Sequence, residues 1–235
     1  SDLMDWTGTD QDPGNGFIGS GTITTPTSTV TVTYTNPQGI GFYQTSGGQY
    51  YYSNGTDGPN GTSPYTSTQV DNRPPTTDIV ALRYRGSQTL TFSQAIANPV
   101  FAYVSLNGNG YAFDQDFDIL SVGGVDGNAC GYWGCGTSYK QIVTVNGVTE
   151  YQLLGTGEPH GTLRFTGTFD TVSWRSLSDE NWNGFTVGVQ GTAVEFCTAN
   201  PNAPECNPTS VPEPASLILL GIGFGSLVLG RRRKS

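Results

Sequence analysis

The chain has 235 residues, of which 12% are charged and 35% apolar, with 33 glycines and 14 prolines. Gly and Pro at this density disfavour helix interiors, and no amphipathic segment of 3.6-residue period and useful length occurs before residue 211, so a helical bundle and a βαβ enzyme are excluded. The net charge of −9 divides unevenly: residues 1–210 carry −12 and residues 211–235 carry +3. An acidic body repels phosphate backbones and excludes nucleic acid as a partner. The same acidity serves solubility and offers attraction to cations.

Strand signals recur along the body, each closed by turn residues. Residues 28–34 alternate with period two. Residues 78–85 and 88–92 flank Gly86 as an expected hairpin. Residues 100–106 form an apolar run ending at Asn107-Gly108, and residues 113–122 form another strand ending at Gly123-Gly124. Residues 141–145 and 148–154 flank Asn146-Gly147, the strongest type I′ hairpin signal in the chain. Residues 162–167, 171–175, 185–190 and 192–196 complete the set. Ten to twelve short strands in one block predict an all-β fold, a two-sheet β-sandwich of jelly-roll kind, spanning residues 1–199. Residues 43–75, poor in aliphatics and rich in Gly, Ser, Thr, Asn and Tyr, read as a long surface insertion. Residues 200–214, with five prolines, read as a stiff linker.

The four cysteines are an even number, which in an oxidising compartment predicts two disulfides. Three pairings exist. The local one, Cys130–Cys135 and Cys197–Cys206, is expected because each pair brackets a turn-rich loop. The spacings and the lone His160 do not fit a zinc site.

The tail reads VPEPASLILLGIGFGSLVLGRRRKS. Its prolines give an extended stretch. Ala215 to Gly230 is a charge-free run of 16 residues. As a helix it spans about 24 Å, short of a ~30 Å hydrocarbon core. Arg231, Arg232, Arg233 and Lys234 form a basic stop that stays cytoplasmic, which points the body outward. A single hydrophobic C-terminal helix over 215–235 is therefore expected, either as a permanent single-span anchor or as a sorting signal held transiently in the inner membrane and then removed. Pro212-Glu213-Pro214, the apolar run and the terminal basic cluster together resemble the PEP-CTERM sorting domain. The resemblance implies a Gram-negative, Sec-exported protein, processing by an exosortase, and a cell-surface or extracellular-matrix destination linked to exopolysaccharide. It makes Pro212, Glu213 and Pro214 recognition residues of the sorting motif. The segment 155–189, with its Phe-Asp-x-Val-x-Trp and Asn-Gly-Phe-Thr-Val-Gly strands, is similar to β-sandwich bodies of that family. Ser1 to Asp5 has neither a basic n-region nor an apolar h-region. An outward-facing body thus leads to the expectation that the numbering starts after a removed export signal.

Three groups could carry chemistry in the body. Asp114, Asp116 and Asp118, read on one strand, fall on one face, where calcium would relieve their repulsion. An EF-hand is excluded, since Ile119 stands where its Gly belongs and Val125 where its bidentate Glu belongs. A solvated acidic face is the alternative, and no other cofactor is expected. Tyr132 and Trp133, inside the expected Cys130–Cys135 loop, are candidates for stacking on sugar rings; the alternative is packing on the end of the sandwich. Trp174 and Trp182 read as core or near-core. Enzymatic signals are weak. His160 has no Gly-x-Ser-x-Gly elbow to serve. Glu150, Glu158, Glu180 and Glu195 are candidates for paired glycosidase carboxylates, without a feature that separates them from surface acids. The expectation is a non-enzymatic surface or matrix protein that binds extracellular polysaccharide. The alternatives are a structural protein that associates with copies of itself and an extracellular glycan hydrolase.

Overall fold

Strands with aromatic and β-branched residues at every second position bury one face, and in this chain they do so around a single aromatic core. A computed structural model describes residues 2–9, 16–55 and 62–207, with the side chains of 8 and 9 left out. The described residues form β1 (Asp2–Thr9), β2 (Phe17–Thr24), β3 (Thr29–Asn36), β4 (Phe42–Gln44), β5 (Ile79–Leu82), β6 (Gly86–Ala97) and β7 (Val100–Val104). After these come β8 (Gly110–Phe113), β9 (Asp118–Val122), β10 (Gly136–Val145), β11 (Val148–Gly157), β12 (Gly161–Arg164), β13 (Thr168–Ser176), β14 (Asn183–Val189) and one short helix, α1 (Ala193–Ala199).

The all-β expectation holds, and the ladders form two sets that share β1, one running from β10 to β1 and the other from β1 to β9. They run in one path, β10-β11-β8-β13-β6-β3-β2-β1-β14-β7-β12-β9, with β5 on β14 and β4 on β5. The joint is β1. Its residues Asp2 and Leu3 pair with β14, while Met4 onward pairs with β2. The buried Asp78 carboxylate accepts the Trp6 N–H at 2.9 Å. The two ends of the path approach each other, because Lys140 Nζ of β10 donates to the Phe117 carbonyl just before β9 at 2.9 Å. The result is a nearly closed, barrel-like sheet.

Its interior is a lattice of rings from both halves of the path. Phe101 of β7 and Phe185 of β14 stack at 5.5 Å, and Trp174 of β13 meets each of them edge-on at 5.2 Å. Tyr34 of β3 and Trp6 of β1 close the cluster. The Tyr34 hydroxyl donates to Gln88, whose amide in turn donates to Ser176, so the polar tip does not strand its hydrogen bonds.

Several expectations change on contact with this topology. Gly86 does not turn a hairpin: β5 pairs with β4 and β14, and β6 with β3 and β13. The expected strand 113–122 is two strands, β8 and β9, split by a bend at 114–117. The expected strand 192–196 is the start of α1. Thr192 accepts from the Glu195 N–H, and Glu195 accepts from the Thr192 N–H, a capping box that nucleates helix instead. The Asn146-Gly147 hairpin is present, with φ of 51° and 78°, and joins β10 to β11 over their full length.

The insertion at 43–75 is more than surface. Tyr52 and Tyr65 are fully buried and pack with Ile79, Ala102 and Val104 on the outer side of β5 and β7. Val80, Leu82, Phe101 and Tyr103 of the same strands point into the barrel core. Tyrosine supplies apolar area where aliphatics are missing, and its hydroxyl finds a carbonyl: Tyr52 donates to Asp78 O at 2.7 Å and Tyr65 to Tyr103 O at 3.2 Å. The beginning of the expected linker is also ordered. Cys197 is joined to Cys206, and Asn98 Nδ2 donates to Glu205 at 3.3 Å. Residues 208–214 and the expected helix at 215–235 lie outside the described residues.

Truncating Trp174 at the centre of this lattice removes contacts to five other rings, those of Tyr34, Phe101, Tyr111, Phe113 and Phe185. Trp174→Ala is expected to cost about 3–5 kcal/mol of stability in urea titration, against under about 1 kcal/mol for the half-exposed Trp133→Ala. Equal losses for the two would contradict this placement of the core.

Candidate functional site

The loop between β9 and β10 is a tight ring. Cys130 and Cys135 are disulfide-bonded with Cα atoms 4.8 Å apart, as the local pairing expected. Inside it Gly131 and Gly134 exchange N–H···O bonds of 3.0 and 3.2 Å. A side chain at Gly131 would collide with the His160 ring, so only glycine lets the loop lie this close to the barrel. Asn54 of the insertion donates to the Gly131 carbonyl at 3.2 Å and ties the two loops together.

This frame presents Tyr132 and Trp133 outward. Trp133 is 51% exposed. The two rings lie 4.9 Å apart, Tyr132 meets Tyr51 at 5.1 Å, and Trp133 meets Trp182 at 6.2 Å. Trp182 in turn touches Tyr51 at 4.8 Å and Phe42 at 5.0 Å. Five rings from four chain segments thus brace one another edge-to-face and stay partly open to solvent. Trp133 and Tyr132 were visible candidates in the sequence. Tyr51 belongs to the tyrosine-rich loop sequence that also suits sugar stacking, whereas Phe42 carries no such signal and Trp182 reads as core or near-core; only the fold brings the three alongside.

Two clefts continue from this platform. One, of about 770 Å³, is lined by Gln49, Tyr50, Asn54, Asp71, Arg73 and Tyr132 among others. The second, of about 830 Å³, shares Asp71 and Arg73 with it and runs on to Thr66, Thr68, Ser121 and Asn128. Asn128 Nδ2 donates to Thr66 O and Val122 O, and Thr62 Oγ1 donates to Gly127 O, which fixes the walls of the second cleft.

The three aspartates do not share a strand face. Asp114 and Asp116 lie on the bend between β8 and β9, and Asp118 opens β9. Asp116 Oδ1 accepts from Lys140 Nζ at 2.7 Å and from the Phe117 N–H at 2.8 Å. Burial raises the Asp114 carboxyl above the usual range. Among the described residues no three His, Cys, Asp or Glu side chains gather in a metal-ligating group.

The four glutamates separate by role. Glu150 holds Arg175 through two bonds of 3.1 and 2.8 Å. The Glu195 carboxylate accepts from Thr25 at 2.6 Å, from Thr27 and, in capping α1, from the Thr192 N–H at 3.0 Å, and these bonds hold it down at about 2. Both are occupied structurally. Glu158 and Glu180 differ, because they lie within each other's field. Burial first, and then the Glu158 charge, raise Glu180 to about 7, partly offset by the Asn183 amide donating at 2.8 Å. Glu158 accepts from Ser105 at 2.5 Å and from the Asn107 amide at 2.7 Å. Ser105 and Asn107 take left-handed φ values of 52° and 51° on the turn that supplies these donors. The pair flanks the platform, since Glu158 lies against Gly134 and Glu180 is two residues before Trp182. His160 is buried with Nδ1 donating to Glu158 O at 2.9 Å, and desolvation holds it neutral, down at about 4.

The PEP-CTERM protein-sorting motif matches residues 210–234, which include Pro212, Glu213, Pro214 and Arg231 to Lys234 and lie outside the described residues. The motif supports an exported protein that passes through the membrane and is sorted by an exosortase-type enzyme. No described helix is long and apolar enough to cross a membrane. No curated protein matches the chain. One solved structure, the Clostridium perfringens NetB toxin in its membrane-inserted form, aligns at 8% identity over 77% of this chain and 57% of its own, with a TM-score of 0.12. The alignment thus spans little more than half of that toxin, and a score this low carries no argument.

His160 and Glu180 pull the pH dependence of stability in opposite directions. His160 has its folded pKa near 4, below 6.5, so the unfolded chain binds the extra proton and stability rises with pH across that window, by up to about 3 kcal/mol. Glu180 has its folded pKa near 7, above 4.5, so its contribution is lost as pH rises through that range. The two contributions largely offset each other, so Glu180→Gln is expected to uncover a rise in urea-determined stability between pH 4 and 6.5, and His160→Asn to leave a fall with pH through the Glu180 range. A profile unchanged by Glu180→Gln would contradict this assignment.

Proposed function

We propose that this chain is an exported surface or extracellular-matrix protein, without enzymatic activity, whose body binds extracellular polysaccharide through the platform at Tyr132 and Trp133. The sorting tail supplies an address, through processing by an exosortase-type enzyme. The body supplies the contact. The observation that carries the reading is the half-exposed Trp133 held among four other partly open rings by a disulfide loop. Among the described residues the rings of the barrel core, Trp6, Tyr34, Phe101, Trp174 and Phe185 among them, are almost completely buried. Leaving five together at the surface is the arrangement that stacks on the apolar faces of pyranose rings, while Asn54 and Gln49 nearby can meet hydroxyls.

The test is a glycan array that includes polysaccharide from the producing organism, followed by titration of the strongest hit. Trp133→Ala is expected to weaken binding by at least about tenfold with little change in melting temperature. The absence of binding to every glycan would sink the reading. Release of shortened sugars from a bound polymer would point instead to hydrolysis at Glu158 and Glu180.

A second reading, self-association as a structural matrix component, is favoured by the β10–β11 hairpin. It ends the strand path at β10 and exposes Tyr139, Ile142, Val145 and Val148. An exposed apolar edge of this length is a template for another strand. Sedimentation over a concentration series tests it: self-association that Ile142→Lys abolishes supports this reading, and a monomer throughout removes it.

A further inference from the structure

We infer that the two clefts beside the platform form one continuous groove for an extended, uncharged linear glycan, so that the protein grips the interior of a polymer and not a single terminal sugar. This rests on the glycan-binding reading and goes beyond it in naming length and charge class. Continuity is built into the lining. Tyr132 belongs both to the platform and to the first cleft, and Asp71 and Arg73 belong to both clefts. The lobes measure about 770 and 830 Å³, and each lies in the range that accommodates a ligand of several rings' bulk.

The lining changes character along this path. At the platform end it is aromatic, which suits ring stacking. At the far end it is rich in hydroxyls, from Thr66, Ser67, Thr68 and Ser121, which suits hydrogen bonding to sugar hydroxyls. The Ser121 hydroxyl is buried and makes no hydrogen bond within the protein. Charge sets the class. Among the described residues the two lobes bring Asp71 and Asp126 against one cation, Arg73, on a body of −12. A uronate or sulfate chain would meet net repulsion along the groove, whereas a neutral chain would not.

The experiment is calorimetric titration with neutral oligosaccharide ladders derived from cellulose, mannan and chitin, from disaccharide to hexasaccharide, and with oligogalacturonates of the same lengths. Thr68 is exposed at the far lobe, so Thr68→Trp obstructs that lobe without touching the core or the platform. For the neutral ladder that binds, affinity is expected to climb by at least about tenfold from disaccharide to hexasaccharide. Thr68→Trp should cancel that gain and leave the short sugars unchanged, whereas Trp133→Ala should weaken every length. Affinity that is flat with length, a gain that survives Thr68→Trp, or tighter binding of oligogalacturonates would overturn the inference while leaving the platform intact. Silence across every ladder would overturn it together with the glycan-binding reading.

Discussion

The structure depends on covering the outer face of β5 and β7. Both strands are buried on both sides, which an antiparallel sheet with one wet face does not require. Their inner residues belong to the barrel core, and their outer residues need a second layer. The insertion provides that layer with Tyr52 and Tyr65, each removing an aromatic ring from water for about 2–3 kcal/mol and anchoring its hydroxyl on a strand carbonyl. Once these two rings are fixed, the neighbouring Tyr50 and Tyr51 have nowhere to go but the rim. The platform is thus a by-product of the same burial, and the clefts form where the insertion meets the β9–β10 loop.

That dependence explains what was legible in the sequence. Local chemistry was readable wherever one short segment decided its own structure: the alternation of β3, the Asn-Gly turn of the long hairpin, the two loop-closing cysteine pairs and the sorting tail. Long-range decisions were not. The dual pairing of β1 brings it beside β14 and β2 at once, and its Trp6 N–H meets the Asp78 carboxylate more than seventy residues away along the chain. The bend that breaks the aspartate row comes from the chain crossing from β8, on one side of the path, to β9 at its end. The helix at Ala193–Ala199 carries a capping signal in its Thr-x-x-Glu spacing, but the apolar and β-branched residues around it have the composition of a strand. The tyrosine-rich insertion looked polar by composition, because composition counts a tyrosine's hydroxyl and overlooks the ring that packs.

The candidate site shows the same division. Tyr132 and Trp133 stood out because a disulfide loop holding two aromatics is a local feature. Their partners from the insertion and from the turn before β14 come from up to eighty-one residues away in sequence, between Tyr51 and Tyr132. The glutamates were indistinguishable as sequence and became distinct only through their partners, with Glu150 and Glu195 spent on structure, Glu158 on the Ser105 turn and Glu180 on Asn183. Tail and body then divide the work. The tail carries the address, and the body offers a rigid, acidic, aromatic-faced surface once it arrives.

The central claim is that ligand meets the outer tryptophans and leaves the inner ones alone. The chain has four tryptophans, two fully or almost fully buried (Trp6 and Trp174) and two at the platform (Trp133 and Trp182). Their indole N–H resonances can be followed by NMR while a neutral oligosaccharide is added. The account predicts that the Trp133 and Trp182 signals move in step with binding while those of Trp6 and Trp174 stay in place. Saturable binding that leaves Trp133 and Trp182 unmoved would contradict it.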